Sequence, residues 1–160
     1  MIEVTVEDIA VSGEDAARFL VLLKAPKGEI LPIVVDALQA LAIAAGRQEE
    51  KPERPLTHDL MLSVFELMGV GLQKIEITDL VDGTFYAMLV LERQGVRYDV
   101  DARPSDAIAL ALRTGTRIFV EESVIMSAHR VDADNQSVDI GRLQKWLEGL
   151  SDDELGKSKM

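Results

Sequence analysis

Apolar and polar residues alternate along this chain in segments that read as strands first and a helix second, and then again. Residues 2–11 are rich in β-branched side chains and predict a strand. Residues 19–23 form an unbroken apolar run, the pattern of a strand buried on both faces. Pro26 and Gly28 mark a turn, and residues 30–35 predict a third strand whose Pro32 points to a sheet edge or a bulge. Asp36 is then placed to cap a helix over 37–45, with Gln39 completing a variant capping box and Gly46 as the stop. Residues 47–56 are a charged loop with two prolines. Thr57 is expected to cap a helix over 58–68 that ends at Gly69, with Leu56 and Met61 as its hydrophobic staple. Three strands follow at 72–80, 84–92 and 96–101, joined by turns at Asp82-Gly83 and Gln94-Gly95. Ser105 is expected to cap a helix over 106–114 stopped by Gly115, and 117–121 reads as a short strand. A last helix is expected from a cap at Asp139 to Leu147. A capping box of Ser151 and Glu154 and a disordered end follow it.

The order strand–strand–strand–helix occurs twice in that reading. Phe19 and Gly28 align with Tyr86 and Gly95 at one spacing. Asp36 and Gly46 align with Ser105 and Gly115 at a spacing two residues longer. Both helices are small and apolar. The expected fold class is therefore α+β. It comprises duplicated βββα units with a mainly antiparallel sheet, an inserted helix between the halves and a C-terminal helix. Residues 1–131 are expected to form the main domain and 132–160 a helical extension.

Composition narrows the function classes. The 160 residues contain no Cys, which excludes disulfides, Cys-ligated zinc, iron–sulfur clusters and thiol catalysis. No apolar run reaches the ~20 residues of a membrane span, and the N-terminus lacks the pattern of a signal peptide. A cytoplasmic protein without membrane contact is expected. The mean hydropathy of +0.10 excludes disorder for the bulk of the chain. It also suggests surface buried against a second copy, with a homodimer as the commonest solution. The net charge is −11, with residues 1–131 carrying −8 of it, so the acidity is not confined to a tail. That argues against a passive nucleic-acid binder, though not against an enzyme that meets phosphate through a few arginines.

Two polar clusters interrupt the apolar pattern. The first is Arg54-Pro55-Leu56-Thr57-His58-Asp59 at a helix start. His58 there reads as a general base or metal ligand oriented by Asp59, or else both residues belong to an ordinary first turn. The second is Asp99-Val100-Asp101-Ala102-Arg103-Pro104-Ser105-Asp106, between a strand end and a helix start. Asp101 and Asp106 are candidates to share a hard divalent cation, with Arg103 holding a phosphate. The alternative is an Arg–Asp pair that stiffens the turn, with Ser105 as the cap. Glu121-Glu122, His129 and Trp146 read more simply as rim, surface and packing residues. No Gly-rich phosphate loop, His-Glu-x-x-His or Gly-x-Ser-x-Gly motif is present.

Several of these segments together resemble one known family. Leu31-Pro32-Ile33, the run from Arg54 to Leu60, Gly83-Thr84-Phe85-Tyr86-Ala87 and the run Asp101-Ala102-Arg103-Pro104-Ser105-Asp106-Ala107 are similar to the bifunctional nuclease domain family. The resemblance covers roughly residues 2–130. It implies cleavage of both DNA and RNA by a small α+β protein that self-associates. For such a nuclease, the residues of the two clusters permit His58, Asp59, Asp101 and Asp106 as the catalytic residues. Arg54, Arg103 and Ser105 are the expected substrate contacts, and Mg2+ or Mn2+ on Asp101 and Asp106 is the expected cofactor. Two other classes remain open on the residues alone: a non-catalytic ligand-binding or regulatory domain, and a homo-oligomeric structural module.

Overall fold

A computed structural model describes residues 1–12 and 18–132. The helix expected at 139–147, with Trp146 and the Ser151–Glu154 box, lies outside the described residues. The element order is β1 (Ile2–Ser12), β2 (Arg18–Lys24), β3 (Ile30–Val35), α1 (Ala37–Arg47), α2 (Thr57–Leu67), β4 (Gly71–Val81), β5 (Thr84–Arg93), β6 (Val96–Ala102), α3 (Pro104–Thr114), β7 (Ile118–Val120) and α4 (Glu122–Asp132). The fold is α+β.

The seven strands form one sheet in the order β3-β2-β1-β7-β4-β5-β6. Two antiparallel meanders run outward from the short strand β7, which pairs antiparallel with β1 and parallel with β4. Strand β1 serves two neighbours: Ile2–Val4 pairs with β7, and the stretch from Thr5 onward pairs with β2. A register shift between Val6 and Asp8 bends it there. Pro32 sits on edge strand β3, where its missing N–H costs little. The turns at Asp82-Gly83 and Gln94-Gly95 have positive φ at both central residues, as two-residue hairpins require.

Helix α1 packs on β2 and α3, α3 on β4 and β5, and α2 on α3. Helix α3 is the most enclosed element: Ala107, Ile108, Ala109, Leu110 and Ala111 are all buried. Its alanines let α1 come close, and Gly46 completes the contact. A Cβ built on Gly46 would stand 2.9 Å from Arg113 Nη1 and 3.2 Å from Leu112 Cβ. Gly46 is thus inside α1, which runs on to Arg47 and caps at Gln48, not its stop. The Asp36–Gln39 capping box is present as expected, with Gln39 N–H donating to Asp36 Oδ1 at 2.8 Å.

Other boundaries also moved. Leu56, not Thr57, occupies the N-cap of α2, and the Asp59 carboxylate closes that turn by accepting from Leu56 N–H at 2.9 Å. Arg103 occupies the N-cap of α3 with Pro104 at the first helical position, so Ser105 lies inside the first turn, buried. Strand β2 buries Phe19, Val21 and Leu23 fully, but Leu20 and Leu22 only in part, because one face alone meets the core. Helix α4 was not expected from the sequence. Its Val124, Ile125 and Ala128 are buried on one face, and Val124 N–H bonds to Glu121 O.

Candidate active-site cleft

The first turns of α2 and α3 are 48 positions apart in sequence and meet in space. His58 Nε2 lies 2.9 Å from Asp106 Oδ1. The other oxygen of the same carboxylate, Oδ2, accepts from Arg103 Nε at 2.8 Å. Burial pushes the Asp106 carboxyl upward. The hydrogen bonds from Arg103 and His58, and then their charges, outweigh that, leaving it below its ordinary value. Arg103 is raised in turn by its bond to Asp106.

These facts fix the His58 tautomer. An ionised carboxylate only accepts hydrogen bonds, so Nε2 carries the proton toward Asp106. In the neutral ring, Nδ1 then holds the lone pair. The His58 side chain is 12% exposed and that of Arg103 66%. One partner is positioned in the wall and the other is free to reach solvent. The terminal guanidinium nitrogens of Arg103 have no hydrogen-bond partner among the described residues.

His58, Arg103 and Asp106 line a cleft of about 1280 Å³ together with Asp101, at the end of β6, and Asp36, at the cap of α1. Leu41, Leu56, Met61, Phe65 and Val100 contribute apolar wall. The sequence marked Asp36 only as a cap. Its place in the cleft comes from α1 packing against α3, which no local pattern shows.

Asp59 faces elsewhere. It lines a second cavity of about 780 Å³ with Arg113. Arg113 Nε donates to Asp59 Oδ1 at 2.9 Å, and Arg113 Nη1 donates to Ala42 O at 2.8 Å and Ala109 O at 2.9 Å. The Arg113 side chain is 7% exposed, so a buried cation ties α1, α2 and α3 together. Sequence reasoning missed Arg113; the available signal was a lone cation closing an otherwise apolar, Ala-rich helix. Arg54 is exposed on the loop before α2 and lines neither cavity. Ser105 is buried and lines neither as well.

A divalent ion on Asp101 and Asp106 would have to share Asp106 with its nitrogen partners and take its remaining ligands from substrate or water oxygens. Both oxygens of Asp106 already bond to nitrogen donors. Among the described residues, no three His, Asp or Glu side chains gather as a metal-binding group.

The fold and cleft thus define a class: a small α+β domain with an acid-oriented histidine beside an available arginine. The bifunctional nuclease domain model matches residues 21–132. The chain belongs to that family. It is 36% identical over 161 aligned residues to an uncharacterized protein of Mycobacterium tuberculosis, covering 95% of this chain and 96% of that one. It is 29% identical to bifunctional nuclease 2 of Arabidopsis thaliana over 74% of this chain, and 27% identical to bifunctional nuclease 1 of Oryza sativa subsp. indica over 69%. Each of these matches spans 35% of the plant protein.

Proposed function

We propose that the chain hydrolyses phosphodiester bonds in DNA and RNA, with His58 as general base. The supporting observation is the 2.9 Å contact between His58 and Asp106, which joins the two family-like motifs at one cleft. Family membership and the names of the plant relatives supply the substrate class. In this reading Nδ1 of neutral His58 takes a proton from water as the water oxygen attacks phosphorus, the P–O bond to one ester oxygen of the nucleic acid breaks, and that leaving oxygen takes a proton from solvent. The Asp106 carboxylate holds the ring by its Nε2–H and stabilises the imidazolium that forms. The free end of Arg103 binds a non-bridging phosphate oxygen, whose charge grows in the transition state. Asp101 lines the same cleft and makes no side-chain hydrogen bond or ion pair among the described residues; it positions the attacking water. No step is assigned to a metal ion. The proposal also includes a cytoplasmic homodimer, supported by the absence of Cys and by the large apolar residues left exposed on the surface.

The test is cleavage of single-stranded and duplex DNA and RNA, with and without Mg2+ or Mn2+, by wild type and Asp101→Asn purified identically. The reading expects cleavage that Asp101→Asn loses while staying folded. Equal cleavage by both would remove Asp101 from the mechanism. No cleavage by either would favour a ligand-binding domain, a role the apolar cleft wall also suits.

A further inference from the structure

The two edges of the sheet are built differently. Edge strand β3 carries Pro32, which blocks pairing with another strand. Edge strand β6 carries no proline and pairs with β5 without a register shift. Its outer edge has no partner strand among the described residues. Val96, Tyr98 and Val100 are 51%, 50% and 42% exposed, forming an apolar row on one face. Arg97 and Asp99 share the other face, joined at 2.7 Å from Nε to Oδ1.

The five residues Val96-Arg97-Tyr98-Asp99-Val100 are self-complementary when run antiparallel against a second copy. A two-fold axis perpendicular to a sheet keeps each side chain on the same face in both copies. Opposed residues must therefore come from the same face, and the axis must pass through a residue. Centring on Arg97 sets that cation against itself, and centring on Asp99 sets that anion against itself. Centring on Tyr98 opposes Arg97 to Asp99 twice, Val96 to Val100 twice, and tyrosine to tyrosine. Of these three registers, which overlap the segment most, only this one opposes no like charges.

We propose that β6 pairs antiparallel with β6 of a second copy, about an axis through Tyr98, to form a continuous sheet across a homodimer. This gives the dimer a surface and a register, and it does not depend on the proposed activity. The register also sets the partner's Gly95 opposite Asp101, so the partner's hairpin turn forms part of the cleft rim.

The experiment is sedimentation equilibrium on the full chain, for wild type, Arg97→Asp and Asp99→Arg, alone and mixed. Wild type is expected to dimerise at micromolar to sub-millimolar concentration. Each single reversal opposes like charges twice and weakens self-association by roughly tenfold or more. Mixing the two variants opposes aspartates to arginines and restores a dimer holding one of each. A second readout needs no charge change. The chain has no Cys, so Tyr98→Cys supplies the only thiol, and on the axis it meets its own copy. Covalent dimer under mild oxidation or with a short bis-maleimide is expected for Tyr98→Cys and not for Val96→Cys. A monomeric wild type would overturn the proposal. A dimer indifferent to both reversals, with no crosslink at 98, would overturn it too and move the interface to another face, such as α2.

Discussion

His58 and Asp106 stand 48 positions apart in the chain and 2.9 Å apart in space, with the ring nitrogen Nε2 against carboxylate oxygen Oδ1. Each opens a helix, and each belongs to a different motif. The contact therefore depends on α2 docking on α3. Its chemistry depends on Asp106 staying ionised, which Arg103 assists from the other side.

The depressed Asp106 carboxyl makes stability pH-dependent in one direction. Its folded value lies below the ordinary 3.8, so the folded state binds fewer protons than the unfolded state in that range. The stabilisation is complete above that ordinary value and is lost as pH falls through the lower folded value. Melting curves of wild type and Asp106→Asn should differ most near neutral pH. The gap should close as pH falls below about 4. A gap of constant size across that window would show that the charge of Asp106 contributes nothing.

Arg103 separates function from stability. Its side chain is 66% exposed, and exposed ion pairs contribute about 0–1 kcal/mol. Arg103→Ala should leave chemical denaturation within about 1 kcal/mol of wild type. It should also lower cleavage by about tenfold or more if the free guanidinium end meets phosphate. Loss of both together would make Arg103 a structural residue.

Asp59 and Arg113 predict the opposite split. Arg113 is buried and holds Asp59 and two helix carbonyls, so Arg113→Met leaves Asp59 and both carbonyls short of a donor. Removing one partner of such a pair costs about 3 kcal/mol. Asp59→Asn should destabilise less, yet leave cleavage per folded molecule unchanged, because Asp59 does not line the His58 cleft. Urea denaturation read beside cleavage of the folded fraction checks both.

Gly46 reverses a general expectation. Gly→Ala inside an exposed helix stabilises by about 1 kcal/mol. Here the new methyl meets Arg113 Nη1 at 2.9 Å and Leu112 Cβ at 3.2 Å, and three hydrogen bonds pin that arginine. Gly46→Ala should instead destabilise by about 1–3 kcal/mol, measured by denaturation midpoint.

Local signals in this chain were legible and long-range ones were not. The Asp36–Gln39 box, both two-residue hairpin turns and edge Pro32 depend on neighbours within a few residues, and each stands where the pattern put it. Gly46 looked like a helix stop because glycine usually is one; the reason it lies within α1 is the side of α3, brought from over 60 residues away. Thr57 and Ser105 looked like caps because hydroxyls favour that role. Asp59 closes one turn and Pro104 opens the other, shifting each frame by one or two residues. The same limit applies at the site. His58, Asp101, Arg103 and Asp106 were marked by type and spacing, while Asp36 and Arg113 acquire their places only through helix packing. Helix α4 was missed because its polar residues dilute an apolar set as small as Val124, Ile125 and Ala128.

Whether His58 acts as the general base is read from the initial rates at which wild type and His58→Ala cleave an end-labelled single-stranded oligonucleotide, with equal folding verified by circular dichroism. The account predicts a rate lowered by about a hundredfold or more in His58→Ala, as for loss of a general base, and a similar loss in Asp106→Asn. Cleavage by folded His58→Ala at the wild-type rate would contradict it.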